Sequence, residues 1–213
     1  MNKKKGLFIT LEGNEGCGKS TQIKKLQAYL KKRGFRIFLT REPGGTAIGD
    51  QIRRILLDPK NKSMRPDCEV FLYMASRAEL VREAIRPRLR RGFVVLCDRW
   101  LDATIAYQGA AGGVDIKWIK KAGERATGGL EPDLTLYLDL DVAVGLLRAK
   151  KHKKADRVER KKLSYHKKVR QGFLRIEKNE PERFKRLIIR PRDNEETVHQ
   201  KIKGLVDHVI GRS

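Results

Sequence analysis

Short apolar runs alternate along this chain with longer segments in which apolar residues recur every three or four positions. The short runs predict strands at 7–11, 35–39, 93–97 and 134–140, with a weaker one at 184–189. The longer segments predict helices at 21–32, 48–57, 68–89, 114–126, 142–150, 165–178 and 195–210. Strands that alternate with helices form βαβ units, so we expect an α/β fold in three layers, with a five-stranded parallel sheet between helices.

The chain shows no sign of division into several domains. No internal repeat and no linker rich in Gly, Ser or Pro interrupts its 213 residues, a length typical of one domain. We therefore expect a single domain, 1–213. Open parallel sheets bind ligands at the carboxyl ends of their strands, which directs attention to the loops that follow each predicted strand.

Charge narrows the class of partner. The chain has 49 Lys and Arg against 26 Asp and Glu, a formal net charge of +23. Such an excess predicts polyanions as partners: nucleic acid, an acidic membrane surface or phosphorylated small molecules. Twelve basic and only two acidic residues fall between positions 148 and 170, and we interpret 148–162 as a basic helical lid over a site for phosphates.

Composition also excludes several classes. No apolar run approaches the about 20 residues that span a bilayer, and the run that follows the first lysines is too short for a secretory signal. The three cysteines form neither a CxxC pair nor a repeated Cys/His spacing, so we expect reduced thiols and no structural zinc. We expect a cytoplasmic protein that does not bind membranes.

The strongest chemical signal is the sequence GNEGCGKS between the first predicted strand and the first predicted helix. It matches the P-loop pattern G-x-x-x-x-G-K-[ST], in which glycines let successive backbone N–H groups point at phosphate oxygens. Lys19 would contact the β- and γ-phosphates, and Ser20 would ligate Mg²⁺. The pattern predicts that ATP or GTP binds to a loop made of Gly13, Asn14, Glu15, Gly16, Cys17, Gly18, Lys19, Ser20 and Thr21.

A carboxylate and several cations extend this site. Asp98 ends the apolar run FVVLC as in a Walker-B strand, where it either holds the metal or caps the next helix. Arg41, Arg77, Arg99 and the basic stretch that begins at Arg148 would hold a second anion. Phosphoryl transfer between two polyanions needs such positive groups, because charge builds up on the transferred oxygens. The sequence has no N-K-x-D base reader of the kind GTPases carry, which favours a small kinase.

Three segments resemble the thymidylate kinase family in order and spacing, and the resemblance covers essentially the whole chain. They are LEGNEGCGKST at 11–21, TREPGGT at 40–46, which is the most discriminating, and DRWLDATIAYQG at 98–109. The resemblance implies the fold of a P-loop NTPase and the ATP- and Mg²⁺-dependent phosphorylation of dTMP to dTDP. It also implies a homodimer, with no specific nucleic acid as partner.

The family pattern assigns roles around the phosphate and sugar of dTMP. Glu15 matches the acidic residue that approaches the deoxyribose 3′-hydroxyl, and Arg99 matches the arginine that binds the dTMP phosphate. Arg41 and Pro43 match the loop that lines the dTMP site. Tyr107 matches a tyrosine under the sugar that disfavours a ribose 2′-hydroxyl.

The pattern likewise assigns the base pocket. Tyr73 stands where the family has a Phe that stacks on thymine, and Arg77, four residues on, matches the residue that hydrogen-bonds the base. Gln108 adjoins the base, and Arg53 is either a substrate contact or a residue of a solvated helix face. Ala103 stands where a serine is common, which removes one polar contact near the nucleotide.

The resemblance also carries a subtype. The phosphate loop contains no arginine between Gly13 and Lys19, and family members of that kind supply the catalytic arginine from the lid. The lid here contains DRVE at 156–159, which resembles the lid pattern, so Arg157 is the first candidate for this role and Arg148 the second. With Lys19 and Arg99, these two complete the predicted catalytic set.

Two other functions stay open at this point. The nearer one is another small P-loop kinase, with a different nucleoside monophosphate or a nucleoside as acceptor. The remote one is a nucleic-acid-binding ATPase, which the charge of +23 suggests but which should carry helicase-type motifs that are missing here.

Overall fold

The computed structural model describes residues 6–152 and 156–211 and has one five-stranded sheet in this range. All neighbouring strands are parallel, in the order β2-β3-β1-β4-β5. The strands are β1 (Leu7–Gly13), β2 (Ile37–Arg41), β3 (Val94–Asp98), β4 (Leu134–Asp139) and β5 (Phe184–Ile188). The predicted number and direction of strands are confirmed.

Helices connect the strands. They are α1 (Lys19–Lys32), α2 (Ala47–Leu57), α3 (Pro66–Leu80), α4 (Arg86–Arg90), α5 (Leu101–Thr104), α6 (Ile116–Thr127), α7 (Val142–His152), α8 (Leu163–Asn179) and α9 (Glu195–Ile210). A π-helical turn, Val81–Ile85, joins α3 to α4, so the long helix predicted at 68–89 is present with a wider turn inside it. A second π-helical turn, Ile105–Ala111, continues α5.

The central strand β1 is buried on both faces, which explains its uninterrupted apolar run. Leu7, Ile9 and Leu11 pack on one face against buried side chains of α1 and α9. Phe8 points to the other face, where it meets Trp100 edge to face at 4.9 Å and packs with the end of α3. The sheet therefore lies between two helical layers, as predicted.

One predicted element differs from the structure, and one observed helix was not predicted. Strand β2 begins at Ile37 instead of Phe35, because Gly34 adopts φ 82° and the Phe35 amide donates to the Leu30 carbonyl, which keeps Phe35 in the turn that ends α1. The strand continues to Arg41, which lies opposite Asp98 in the β2–β3 register. The helix at 101–111 was not predicted, because its motif residues were interpreted only for their chemistry.

Candidate active site

A cleft of about 620 Å³ opens at the carboxyl ends of the strands. Its walls come from the phosphate loop after β1, the loop after β2, helix α3, the turn after β3 with helix 101–111, and the two ends of the predicted lid. The phosphate-loop side is called the donor wall below, and the side formed by α3 and helix 101–111 is called the acceptor wall. Both lie where a parallel sheet of this kind binds ligands.

Glycines give the phosphate loop its shape. Gly13 and Gly16 have φ of 150° and 68°, which side-chain-bearing residues rarely adopt. A Cβ on Gly16 would lie 2.0 Å from the carbonyl oxygen of Gly145, and a Cβ on Gly13 would lie 2.7 Å from that of Leu138. The loop can therefore pack closely on the backbones of β4 and α7 only because these positions are glycine.

Lys19 begins α1 and is almost completely buried. Its Nζ donates to the carbonyl oxygens of Gly13, at 2.9 Å, and Asn14, at 3.2 Å. It also lies 3.7 Å from Cys17 Sγ. The ammonium group is thus held at the mouth of the loop mainly by backbone oxygens, and it forms no ion pair with the residues that the structure describes, so phosphate oxygens can replace these acceptors.

Arg99 connects the two walls. It is the one non-glycine residue of the described chain with a positive φ, 72°, and its backbone N–H donates to the Leu11 carbonyl at 3.0 Å. Its Nη2 donates to Glu15 Oε1 at 2.7 Å and its Nη1 donates to the Gly13 carbonyl at 3.1 Å. The Tyr107 hydroxyl donates to the same Glu15 oxygen at 3.0 Å, and the Arg99 guanidinium lies 5.0 Å from the Tyr107 ring centre. Three predicted site residues therefore form one cluster.

A second carboxylate, that of Glu12, accepts a hydrogen bond from the turn in which Arg99 adopts its positive φ. Glu12 is fully buried at the end of β1, and its Oε1 accepts a hydrogen bond from the Trp100 backbone N–H at 2.7 Å. Burial raises the pKa of Glu12 to about 8, although the guanidinium of Arg99, 3.9 Å from Oε2, opposes the shift. Glu12 was not among the predicted site residues.

Arg77 is completely buried in the acceptor wall. Its Nε lies 2.5 Å from Glu42 Oε1, and its Nη2 donates to Glu42 Oε2 at 2.8 Å and to Thr104 Oγ1 at 2.9 Å. Glu42 is 3% exposed, and burial raises its pKa. Glu42 belongs to the TREPGGT segment but was not among the predicted site residues. The fork of Arg77 is fixed by this pair and by the Trp100 ring 5.4 Å away.

The remaining predicted base and loop residues surround the same space. Tyr73, one turn before Arg77, lines the cleft, and burial raises the pKa of its phenol. Arg53 donates from Nη1 to the Pro43 carbonyl at 2.8 Å, and burial lowers its pKa, so it belongs to the cleft wall and not to a solvated face. Arg41 is exposed and pairs with Asp50 at 3.3 Å.

Gln108 and Arg157 meet at a third buried carboxylate, Glu69. Gln108 Nε2 donates to Glu69 Oε2 at 2.6 Å, and Arg157 Nη1 donates to Glu69 Oε1 at 2.5 Å. Arg157 also donates from Nε to the Leu56 carbonyl at 2.8 Å. The first candidate for the catalytic arginine is thus in a buried ion pair in this structure, whereas the second, Arg148, lines the cleft on α7.

Most predicted site residues converge on the cleft. Among the predicted residues, all of which the structure describes, three lie outside its lining: Gly13, Asn14 and Arg157. Asn14 is buried under the loop, where its Nδ2 donates to the His166 carbonyl at 3.3 Å. Residues 153–155 of the predicted lid lie outside the described range.

The oxygen groups predicted to hold a metal lie at the carboxyl edge of the sheet. Asp98 ends β3 and Ser20 is exposed in the first turn of α1, and both line the cleft. Within the described part of the chain, the buried Oδ1 of Asp98 has no hydrogen-bond partner. No group of three or more His, Cys, Asp or Glu side chains that could hold a metal by themselves occurs in residues 6–152 and 156–211.

A parallel five-stranded sheet with a GxxxxGKS loop after its central strand places this molecule among the P-loop NTPases. The sequence profile described as "Thymidylate kinase" matches residues 11–202. The chain belongs to the thymidylate kinase family, and the expectation of a kinase is thereby confirmed.

Relatives and one solved structure agree with this assignment. The chain is 50% identical over 179 residues to thymidylate kinase of Deinococcus radiodurans, covering 84% of this chain and 86% of that one. It is 46% identical to thymidylate kinase of Geotalea daltonii, with 97% and 98% covered. The crystal structure of thymidylate kinase from Ehrlichia chaffeensis superposes with a TM-score of 0.76 at 29% identity, covering 95% of this chain and 99% of that one.

Across residues 6–152 and 156–211, every helix is too short or too polar to cross a bilayer.

Proposed function

We propose that this chain transfers the γ-phosphoryl group of ATP to the phosphate of dTMP, which yields dTDP and ADP. The observation that carries the proposal is the Arg99–Glu15–Tyr107 cluster, because it joins the phosphate loop directly to a second recognition surface. A P-loop ATPase that uses water as acceptor does not need a buried wall of arginine pairs, an aromatic side chain and a glutamine opposite its loop.

The reaction needs little chemistry from the protein. An anionic oxygen of the dTMP phosphate attacks the γ-phosphorus, a new P–O bond forms, and the bond to the oxygen that bridges to the β-phosphate breaks, leaving ADP. Lys19 and Arg99 hold the two phosphate groups against their mutual repulsion and stabilise the charge that shifts onto the bridging oxygen. The cleft supplies position and electrostatics, not a nucleophile.

Mg²⁺ completes the donor side of this proposal. A hydroxyl and a carboxylate oxygen are ligands that Mg²⁺ accepts, and the unpartnered Oδ1 of Asp98 fits such a role, directly or through water. Ser20 and Asp98 would hold the ion together with phosphate oxygens. Bound there, the ion would neutralise part of the phosphate charge.

The acceptor wall, together with Glu15 of the phosphate loop, recognises the nucleoside in this proposal. The Glu15 carboxylate, fixed by Arg99 and Tyr107, accepts a hydrogen bond from the 3′-hydroxyl, and the Tyr107 ring excludes a 2′-hydroxyl. Tyr73 stacks on the base, and Arg77 and Gln108 face its edge. Ala103 lines the cleft beside them, where a serine would add a polar contact.

We further propose that the lid, and not the phosphate loop, supplies the arginine that contacts the transferred group. Two candidates follow from the sequence, Arg157 and Arg148. Arg148 lines the cleft, which supports it, whereas Arg157 would first have to leave Glu69. Arg148→Ala and Arg157→Ala separate them, since the catalytic one lowers kcat by about 10²–10³-fold without a matching rise in either KM.

A substrate panel tests the proposed reaction. The protein is incubated with ATP-Mg²⁺ and, in turn, with dTMP, dUMP, dCMP, AMP or thymidine, while ADP and the phosphorylated acceptor are quantified. We expect one dTDP per ADP and the highest kcat/KM for dTMP. Preference for another acceptor would reject dTMP in favour of another small P-loop kinase, and ADP formation that only single-stranded DNA or RNA stimulates would favour a nucleic-acid-dependent ATPase.

The quaternary state is part of the proposal. We propose that the chain acts as one domain in a cytoplasmic homodimer formed through α2, α3 and α6. Ile48, Ile55 and Phe71 are 51%, 47% and 63% exposed on α2 and α3, and Phe71 meets Trp118 of α6 at 5.2 Å. Sedimentation velocity should give twice 24.5 kDa, and Phe71→Glu should weaken the dimer. A monomer at every concentration would contradict it.

A further inference from the structure

Glu69 lies where three parts of the molecule meet behind the acceptor wall. It belongs to α3, one turn before Tyr73, and is 1% exposed. One of its oxygens accepts from Gln108 on helix 101–111, and the other accepts from Arg157 in a turn within the predicted lid. The same carboxylate therefore holds one residue that lines the cleft and one residue of the lid.

Arg157 makes two further hydrogen bonds besides its ion pair with Glu69. Its side chain is 4% exposed, its Nε donates to the Leu56 carbonyl at 2.8 Å, and its backbone N–H donates to the Leu57 carbonyl at 3.2 Å. On both sides of it, Asp156, Val158 and Glu159 line the cleft. The arginine thus points away from the cleft and fixes the segment whose neighbouring residues close it.

A buried ion pair contributes little net stability to a fold, because desolvation offsets most of the attraction between the charges. Its geometry is well suited to specifying a position, since a guanidinium tolerates only a few arrangements around a carboxylate. The second oxygen of Glu69 is engaged by Gln108, so any movement of Gln108 on binding a base changes the surroundings of Arg157.

We infer that Glu69 is a positioning residue that latches residues 156–159 over the acceptor site through Arg157 and senses the occupied site through Gln108. This inference rests on the proposed function, because it takes the acceptor to be the nucleotide beside Gln108. The latch couples acceptor binding to closure of the cleft, so that the closed site forms only when the acceptor is present and water is excluded from the γ-phosphate.

The direct test compares Glu69→Gln with Asp67→Asn. Asp67 is exposed on the same helix, so its variant removes the same charge without touching the latch. We expect Glu69→Gln to raise the KM for the acceptor about tenfold with a change in the KM for ATP below about twofold, and to raise the share of ATP lost to water. A lowered Tm with both KM values and the hydrolysis share unchanged would overturn the inference, as would equal rises in both KM values.

A variant that removes both charges guards against misfolding. Glu69→Gln combined with Arg157→Gln can keep an amide hydrogen bond across the latch without a lone buried charge. We expect this pair to recover most of the stability lost by Glu69→Gln alone while the hydrolysis share stays high, because a neutral pair fixes the segment less firmly. If the double variant recovers both the stability and the low hydrolysis share of the wild-type chain, Glu69 has a merely structural role and the inference is overturned.

The rate of trypsin cleavage after Arg157, followed by mass spectrometry, measures how firmly residues 156–159 are held. This measurement does not depend on catalytic turnover. We expect dTMP to slow this cleavage in the wild-type chain but not in Glu69→Gln, with calorimetry confirming that both still bind dTMP. Equal protection in both would overturn the latch and leave the proposed reaction intact. If the wild-type chain binds another nucleotide and not dTMP, the proposed function fails, and the same comparison with that nucleotide still decides on the latch.

Discussion

The two walls of the cleft are built in different ways. On the donor wall, Lys19 donates to backbone oxygens five and six residues away, and the loop takes its shape from glycine backbones. On and around the acceptor wall, three arginines are paired with carboxylates far away in sequence. The separations are 35 residues for Arg77 and Glu42, 84 for Arg99 and Glu15, and 88 for Arg157 and Glu69.

This difference gives the two walls different tasks: the donor wall binds phosphate groups, and the acceptor wall selects the acceptor nucleotide. Backbone N–H groups and one ammonium group bind any polyphosphate of the right length, so the donor wall is general. Guanidinium groups held by buried carboxylates offer their remaining donors in fixed directions, so the acceptor wall distinguishes one nucleotide from another. Changes to the donor wall should therefore remove turnover, and changes to the acceptor wall should alter stability and choice of acceptor.

The largest effect is expected at Lys19. Lys19→Ala removes the cation between the two phosphate groups but breaks no ion pair within residues 6–152 and 156–211, so kcat should fall by about 10²–10³-fold while the fold is kept. Steady-state kinetics and circular dichroism measure the two quantities. Near-normal turnover would refute the role of the donor wall.

Arg77 should show the opposite behaviour. Arg77→Met leaves Glu42 buried without its partner, which should cost about 3–5 kcal/mol of folding free energy. Urea unfolding measures this cost, and Arg41→Met, at an exposed pair, is the matched control with an expected loss below about 1 kcal/mol. Equal losses in the two variants would contradict the claim that the acceptor wall is preorganised by burial.

Tyr73 tests selection with less effect on stability. Tyr73→Ala should raise the KM for dTMP about tenfold through the lost stacking face and leave the KM for ATP nearly unchanged. Tyr73→Phe keeps the ring and should restore the KM for dTMP. A parallel rise in both KM values would count against the assignment of the base pocket.

Glu12 provides the most indirect test, since its effect is a small change in stability per pH unit. Its pKa is raised by burial, so the folded state holds a proton that the unfolded state has already lost between about pH 4.5 and about pH 8. Stability contributed by the neutral carboxyl is therefore lost as pH rises through that window, with a slope of at most about 1.4 kcal/mol per pH unit. Tm measured against pH should be flatter in Glu12→Gln, and identical profiles would contradict the burial argument.

The sequence predicted the donor wall almost completely because its interactions are local. The apolar run, the glycine loop and the helix follow one another in the sequence. The positions of Lys19, Ser20 and their neighbours at the end of the first strand could therefore be predicted before the fold was known. The separate apolar runs likewise predicted all five strands, with β2 displaced by two residues because the turn at Gly34 extends to Phe35.

The partners on the acceptor wall could not be predicted in this way. The arginines were found by resemblance, but Glu42 and Glu69, which hold Arg77 and Arg157, are ordinary acidic residues until the fold buries them. Pairing over 35 or 88 residues leaves no periodic signal. One hint was available, since an acidic residue among apolar ones, such as Glu69 beside VFLYM, often has a buried partner.

The comparison of the two walls is tested most directly by measuring kcat/KM for two sets of substrates on the same protein. One set varies the donor among ATP, dATP and GTP with dTMP fixed, and the other varies the acceptor among dTMP, dUMP, dCMP and AMP with ATP-Mg²⁺ fixed. We predict that dTMP is the best acceptor and that the spread among acceptors exceeds the spread among donors. An equal spread in both sets, or an acceptor that is used better than dTMP, would contradict it.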